Sequence, residues 1–238
     1  MALDLRLDGA VVLVTGGTRG VGAGIVASFR EAGARVVTCA RSGAGEDFLA
    51  CDVREPAAVD AVVAEVLRRH GRLDVLVNNA GGAPFAETAT ASPRFHEKVV
   101  ALNLLAPLGV AQAANAVMQR QDTGGVIVNV SSVSALRPSP RTAAYGAAKA
   151  GLDNLTATLA VEWAPKVRVN ALDVGMVRTE TARYSDGVSA TVPLGRLATP
   201  AEVGACAVFL ASPLASYVSG ARLAVHGGGE APAYLRGE

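Results

Sequence analysis

The chain has 238 residues, half of them hydrophobic, and its 22 Lys and Arg against 21 Asp and Glu leave a net charge of +1. No basic block interleaved with aromatics offers a footprint for a nucleic-acid backbone. The mean hydropathy of +0.32 comes from short Ala and Val runs that fall short of the ~18 apolar residues of a spanning helix, so no membrane partner is expected.

The length suits one α/β domain over residues 1–238, since no linker or charge block divides it. Asp4, Arg6 and Asp8 precede the first apolar run, which is not the order of a secretory signal. Cys39, Cys51 and Cys206 show no paired spacing, which suggests reduced thiols in a cytoplasmic setting. His70, His96 and His226 are scattered, so no metal site is expected.

Residues 10–14 form a Val-rich apolar run, followed at once by Thr15, Gly16, Gly17, Thr18, Arg19, Gly20, Val21 and Gly22, and then by helical composition over 23–31. Strand, glycine turn and helix in that order bring backbone N–H groups and a helix N-terminus close to a pyrophosphate. The next strand, 35–39, runs into Ala40 and Arg41, where a carboxylate would select the ribose 2′-hydroxyl of NAD. With Arg41 there and Arg19 in the glycine turn, two guanidinium groups suit a 2′-phosphate, and the cofactor is read as NADP(H) in preference to NAD(H). The alternative is that both arginines are solvated loop residues.

Little room remains between Arg41 and the short strand at 48–51, so the usual crossover helix looks missing. Val59, Val62, Val63, Val66 and Leu67 recur at helical spacing over 56–70, with Gly71 placed to end that helix. A strand at 73–77 ends in Asn78, Asn79, Ala80, Gly81 and Gly82. Residues 93–118 read as a long helix that contains Asn103 and should kink near Pro107. A buried Asn103 is either a satisfied core amide or a relay member.

A strand at 125–130 leads to Ser131, Ser132, Val133 and Ser134, and then to a helix bearing Tyr145 and Lys149, which should stop before Pro165. Four residues apart on a helix, the phenol and the ammonium leave the same face. A cation beside a phenol favours the phenolate, which is how a tyrosine becomes a general acid/base. Among the basic residues only Lys98, Lys149 and Lys166 are lysines, so a lysine at this place is informative. A strand at 167–172 precedes Asp173, Val174, Gly175 and Met176, and the polar stretch 178–191 reads as a mobile lid. Thr199 and Glu202 form a capping box for a helix to about Ala211, and 222–225 is a last strand before the tail at 231–238.

Over residues 7–228 this order of elements resembles the short-chain dehydrogenase/reductase family, with the glycine motif at 15–22, Asn78 to Gly81 as a second motif and the Tyr145/Lys149 pair as a third. The resemblance implies a Rossmann-like, doubly wound parallel sheet of about seven strands with helices on both faces, and hydride transfer between NAD(P) and the carbon of a ketone or secondary alcohol. It implies that Tyr145 moves the hydroxyl proton, that Lys149 lowers the Tyr145 pKa and binds the nicotinamide ribose, and that Ser132 meets the substrate oxygen. Asn103 would hold a relay water. Asp52 and Val53 match the adenine position, while Gly175, Val177 and Thr179 match the nicotinamide end. A homotetramer or dimer is implied, built partly on the two long helices.

Three features depart from the family pattern: Val174 where Pro is usual, the missing helix, and a short lid. A ketoreductase is the reading; the rival is a catalytically silent NADP(H)-binding regulator or scaffold, which a lost catalytic residue would mark. No Gly-x-Ser-x-Gly elbow of a hydrolase occurs. Pro84, Ser134, Leu136, Met176 and parts of 181–190 could line a substrate pocket suited to acyl thioesters, cyclic ketones or steroids, and Arg137 and Arg141 could meet an anionic group.

Overall fold

The computed structural model of the chain describes residues 5, 7–180, 182, 184 and 187–229. Asp4, Arg6 and the tail at 231–238 lie outside them. Seven strands, β1 (Val11–Thr15), β2 (Arg35–Ala40), β3 (Phe48–Ala50), β4 (Val75–Asn78), β5 (Gly125–Val130), β6 (Val167–Val174) and β7 (Arg222–Val225), form one parallel sheet in the order β3-β2-β1-β4-β5-β6-β7. The α-helices are α1 (Gly20–Glu31), α2 (Pro56–His70), α3 (Pro93–Val100), α4 (Ala106–Met118), α5 (Ala143–Glu162) and α6 (Pro200–Ala211). This is the expected Rossmann-like fold.

The strands are apolar throughout because both faces of the sheet are covered. Val11 and Leu13 enter the core under α2, α4 and α5, while Val12 and Val14 enter the core under α1 and α6. Each such buried side chain contributes roughly 1.5–3 kcal/mol.

Helix ends follow local chemistry. Gly71 ends α2 in the left-handed conformation at φ 73°. The Ser92 hydroxyl accepts from Phe95 N at the start of α3, and Thr199 and Glu202 cap α6 reciprocally. Most strand limits shift by one or two residues from the sequence reading. Strand β6 runs on to Val174 because Asp173 and Val174 still pair with Ala224 and Val225. Gly20, Val21 and Gly22, read as turn, are the first residues of α1.

The segment 41–47 contains no helix, and β3 pairs directly with β2, Thr38 opposite Phe48. The expected kink at Pro107 is instead a π-helical turn, Ala101–Leu105, joining α3 and α4 into one rod. Pro107 has no N–H for the Asn103 carbonyl, and the preceding turn widens so that Ala106 N donates to Ala101 O. An 18-residue window of this rod has a mean hydropathy of 1.5, so by length and composition it could cross a membrane, contrary to the sequence reading. It packs instead against β4, β5, α2 and α5.

Of the stretch expected to be a lid, Thr181, Arg183, Ser185 and Asp186 lie outside the described residues. Its neighbours are anchored. Arg178 N donates to Ala198 O at 2.8 Å, the Tyr184 hydroxyl accepts from Val177 N at 3.2 Å, and Val188–Thr191 is a 3-10 turn.

Candidate active site

Strand order reverses between β1 and β4, and the carboxyl ends of the strands part there, as they do where ligands enter open α/β sheets. The turns after β1 and β4 are laced together. Asn79 Nδ2 donates to Thr15 O at 2.9 Å and to Gly16 O at 3.1 Å, while Asn79 N and Ala80 N both donate to Thr15 Oγ1 at 3.0 Å. A Cβ on Gly22 would strike the Gly16 carbonyl and the Asn79 amide, so this approach requires glycine.

A cleft of about 630 Å³ opens at this point. Its walls contain Gly16, Thr18, Arg19, Gly20, Val21 and Gly22 from the first turn and Asn79, Ala80 and Gly81 from the second. Arg41, Asp52 and Val53 close one end; Ser132, Tyr145, Lys149, Gly175, Val177 and Thr179 close the other. Thr15 and Asn103 stay behind the wall, at 2% and 0% exposure. The Asn103 amide is satisfied: Oδ1 accepts from Gly82 N at 2.8 Å, and Nδ2 donates to Gly82 O at 3.0 Å and Val99 O at 2.9 Å. It pins the turn after β4. A Cβ on Gly81 would lie 2.8 Å from Asn103 Oδ1 and 3.4 Å from Lys149 Nζ, so both groups flank this glycine.

Ser132 ends the chain's run out of β5, accepts from Ser134 N at 3.2 Å and hydrogen-bonds the Tyr145 phenol. Lys149 is 3% exposed. Its Nζ donates to Val130 O at 2.7 Å and lies 5.7 Å from the centroid of the Tyr145 ring. Burial drives the Lys149 pKa down to about 8, with Asp153 opposing. The expected lowering of the Tyr145 pKa is not found: burial pushes the phenol up, Ser132 opposes the rise, and Tyr184 adds to it. The ammonium is committed to the Val130 carbonyl, and desolvation outweighs its field.

At the other end β2 finishes in Ala40 without a carboxylate, and Arg41 stands in solvent. The Arg54 guanidinium forks onto Asp52 at 2.5 and 2.9 Å and holds its carboxyl at about 2. Glu180 accepts from Gly20 N, at the first turn of α1, at 2.9 Å. Arg54 and Glu180 escaped the sequence reading, while Tyr184 falls within 181–190, expected at the substrate pocket, and lines this cleft; Arg54, two residues beyond Asp52, was the one that spacing could have shown. Cys39 and Cys51 also reach the cleft, and the Cys39 thiol hydrogen-bonds Cys51, a contact made by strand pairing that their separation in sequence hides.

A smaller cavity of about 260 Å³ adjoins at Gly175. Val133, Leu136, Met176 and Val192 line it with Arg137 and His226. Leu136 and Met176 were expected there; Pro84 and Ser134 do not line it. Arg141, considered for an anionic group, pairs with Glu87 at 2.9 Å. Among the described residues no cluster of three or more His, Cys, Asp and Glu could hold a metal ion.

A family model described as enoyl-(acyl carrier protein) reductase matches residues 16–230. A D-threitol dehydrogenase of Mycolicibacterium smegmatis is 35% identical over 246 residues, covering 94% of either chain. The chain belongs to the short-chain dehydrogenase/reductase family. An L-fucose dehydrogenase of Bos taurus is 37% identical over 253 residues, 97% of this chain and 93% of the relative. The ligand-free aldohexose dehydrogenase of Thermoplasma acidophilum matches with a TM-score of 0.88 at 31% identity, covering 94% of either chain. As a short-chain dehydrogenase/reductase, the protein is an NAD(P)-dependent oxidoreductase acting between alcohols and carbonyls.

Proposed function

We propose that this chain, as a single domain, prefers NADP(H) and interconverts a small ketone and its secondary alcohol, with Tyr145 as general acid/base. The observation that carries this reading is the meeting of Ser132, Tyr145 and Lys149 at one end of a cleft whose other end holds Arg19 and Arg41. The cradle fits a dinucleotide: Gly22 lets the turns after β1 and β4 close on each other at the cleft wall, and the α1 N-terminus faces the cleft. When bound, the nicotinamide would donate or accept the hydride.

The residues of the chain do the rest. Tyr145, whose raised pKa keeps the phenol protonated at neutral pH, gives its proton to the nascent alkoxide during reduction and takes it back during oxidation. Ser132 orients the substrate oxygen beside that phenol. Lys149 has donors left after Val130 O for the nicotinamide ribose, and its charge favours the phenolate as the proton leaves. Asn103, which pins the turn after β4 beside Gly81, would set the place of the relay water. Asp52 and Val53 would border the adenine, and Thr179 would meet the carboxamide. Because Arg54 already neutralises Asp52, Arg19 and Arg41 remain to fork onto a 2′-phosphate.

The adjoining cavity of about 260 Å³ suits a small molecule better than a steroid or an acyl chain. Relatives named for threitol, fucose and aldohexose favour a small polyhydroxylated substrate, against one named as a 3alpha-hydroxysteroid dehydrogenase at 35% identity. The assembly of copies on the long helices is carried by the family resemblance, with Leu105 on the rod and Val161 on α5 exposed at 56% and 80%. The cysteines suit the cytoplasm.

Absorbance at the nicotinamide band, read with NADPH and NADH against polyols, aldoses, cyclic ketones, steroid ketones and β-ketoacyl thioesters, tests the reading. NADP(H)-linked turnover of a small polyol or its ketone is expected, and Tyr145→Phe should lower it by about 10²- to 10⁴-fold. An NADH preference overturns the role of Arg19 and Arg41; undiminished turnover by Tyr145→Phe overturns the mechanism.

A further inference from the structure

Tyr145 and Lys149 begin a stripe on α5 whose third member, one turn on, is Asp153. Asp153 and Asp173, on β6, are 4% and 2% exposed, and their carboxyl groups are in hydrogen-bonding contact. Oδ1 and Oδ2 of Asp153 and Oδ1 of Asp173 are buried and, as carboxylate oxygens, have no donor. The groups that face the pair are the Ser131 hydroxyl beyond β5, Lys149 on α5 and Arg222 on β7. Arg222 stays 3.7 Å from Asp153 Oδ2, too long for a hydrogen bond, and its side chain is 52% exposed.

One hydroxyl proton from Ser131 does not serve two carboxylates, and Ser131 Oγ also leans toward Lys149 O at 3.4 Å. Two buried carboxylates in contact repel, and burial takes both out of bulk solvent. A proton held between them supplies the missing donor and removes one charge.

We propose that Asp153 and Asp173 share one proton behind Lys149 and that the pair sets the charge state of Lys149, so that both aspartates are positioning residues for proton transfer at Tyr145. This rests on the roles given above to Tyr145 and Lys149. Burial holds both carboxyls above the usual carboxylate range, and the Asp153 charge adds to the rise of Asp173, to about 6. Below that pH the pair carries a single negative charge or none. Above it the shared proton leaves, and the growing negative charge behind Lys149 stabilises the ammonium that burial would otherwise discharge.

Two measurements separate the pair from the reading it rests on. Infrared difference spectra of the wild-type protein, titrated from acid to alkaline pH, should show a buried, protonated carboxyl C=O band that disappears around pH 6, and Asp153→Asn and Asp173→Asn, each left with one buried carboxyl, should each move that midpoint. Absence of that band in the wild type overturns the shared proton, whatever the catalytic role of Tyr145. In kcat–pH profiles, Asp153→Asn should move the alkaline limb down by about one pH unit, the effect of losing one nearby carboxylate. Asp173→Asn should erase the inflection near pH 6, because Asp153 then ionises without a competitor. Profiles that superimpose on the wild type, even with lowered thermal stability, overturn the coupling to Lys149. If neither variant folds, the wild-type band still decides the shared proton, and its pH midpoint must then match an inflection in the wild-type kcat profile, with a mismatch overturning the coupling. Tyr145→Phe should keep the band.

Discussion

At the β5–α5 end of the cleft, Lys149 is 3% exposed and bonded to Val130 O at 2.7 Å, and the Asn78 amide donates to Asn129, whose own amide donates to Thr156. At the β2–β3 end Arg41 stands in solvent, Arg54 is occupied by Asp52, and Glu180 sits on Gly20 N. The fold alone holds the first set of polar groups, since each is buried and partnered by backbone or core side chains. The second set is held by exchangeable contacts among surface charges, which are individually weak. On the proposed function, chemistry would be prepared in advance at one end and binding completed by partner exchange at the other.

That contrast can be broken at three points. Replacing the buried cation, Lys149→Met, should lower kcat by about 10²-fold or more in steady-state assays at saturating cofactor; an unchanged kcat would mean the prepared end does not depend on its charge. Gly22→Ala forces a Cβ into the laced turns, at about 1–3 kcal/mol for overpacking. Titration calorimetry should then find NADPH bound about 10- to 100-fold more weakly, and an unaffected Kd would show that the turns can part. Glu180→Ala should act in the opposite sense. Removing one exposed carboxylate from Gly20 N frees a helix-terminal donor, so NADPH should bind about two- to fivefold more tightly. Weaker binding would sharpen the picture differently, by making Glu180 a support of the turn.

Much of this arrangement could be read along the chain because local chemistry dictates it. The glycine turn after β1, the cap at Gly71, the Thr199–Glu202 box and the Tyr145–Lys149 face each depend on residues within a turn or two of one another. The missing helix at 41–47 showed as a simple shortage of residues. What escaped depends on tertiary neighbours. Pro107 announced a disturbance, but only the sheet packed on that rod decides that Asn103 turns inward through a widened turn. Asp153 lay in plain view one turn past Lys149, yet its partner Asp173 comes from β6. The direction of the Tyr145 shift was misjudged for the same reason: the pattern gives the cation but not the burial or the Val130 carbonyl that claims it.

The π-helical turn at Ala101–Leu105 also bears on how this chain tolerates changes of length. It is one residue longer than an α-helical turn, so deleting a single residue there would restore a uniform helix and displace the side chains that the widened turn now presents, while α3 and α4 keep their faces. Asn103 would swing off Gly82, and the turn after β4 would lose the strap that shapes it beside Lys149. The 41–47 segment, by contrast, is already short while β3 keeps its register on β2. Changes of length should therefore cost less beyond Ser42 in the β2–β3 connection, where Arg41 and Ser42 keep their place in the cleft wall, than in the rod.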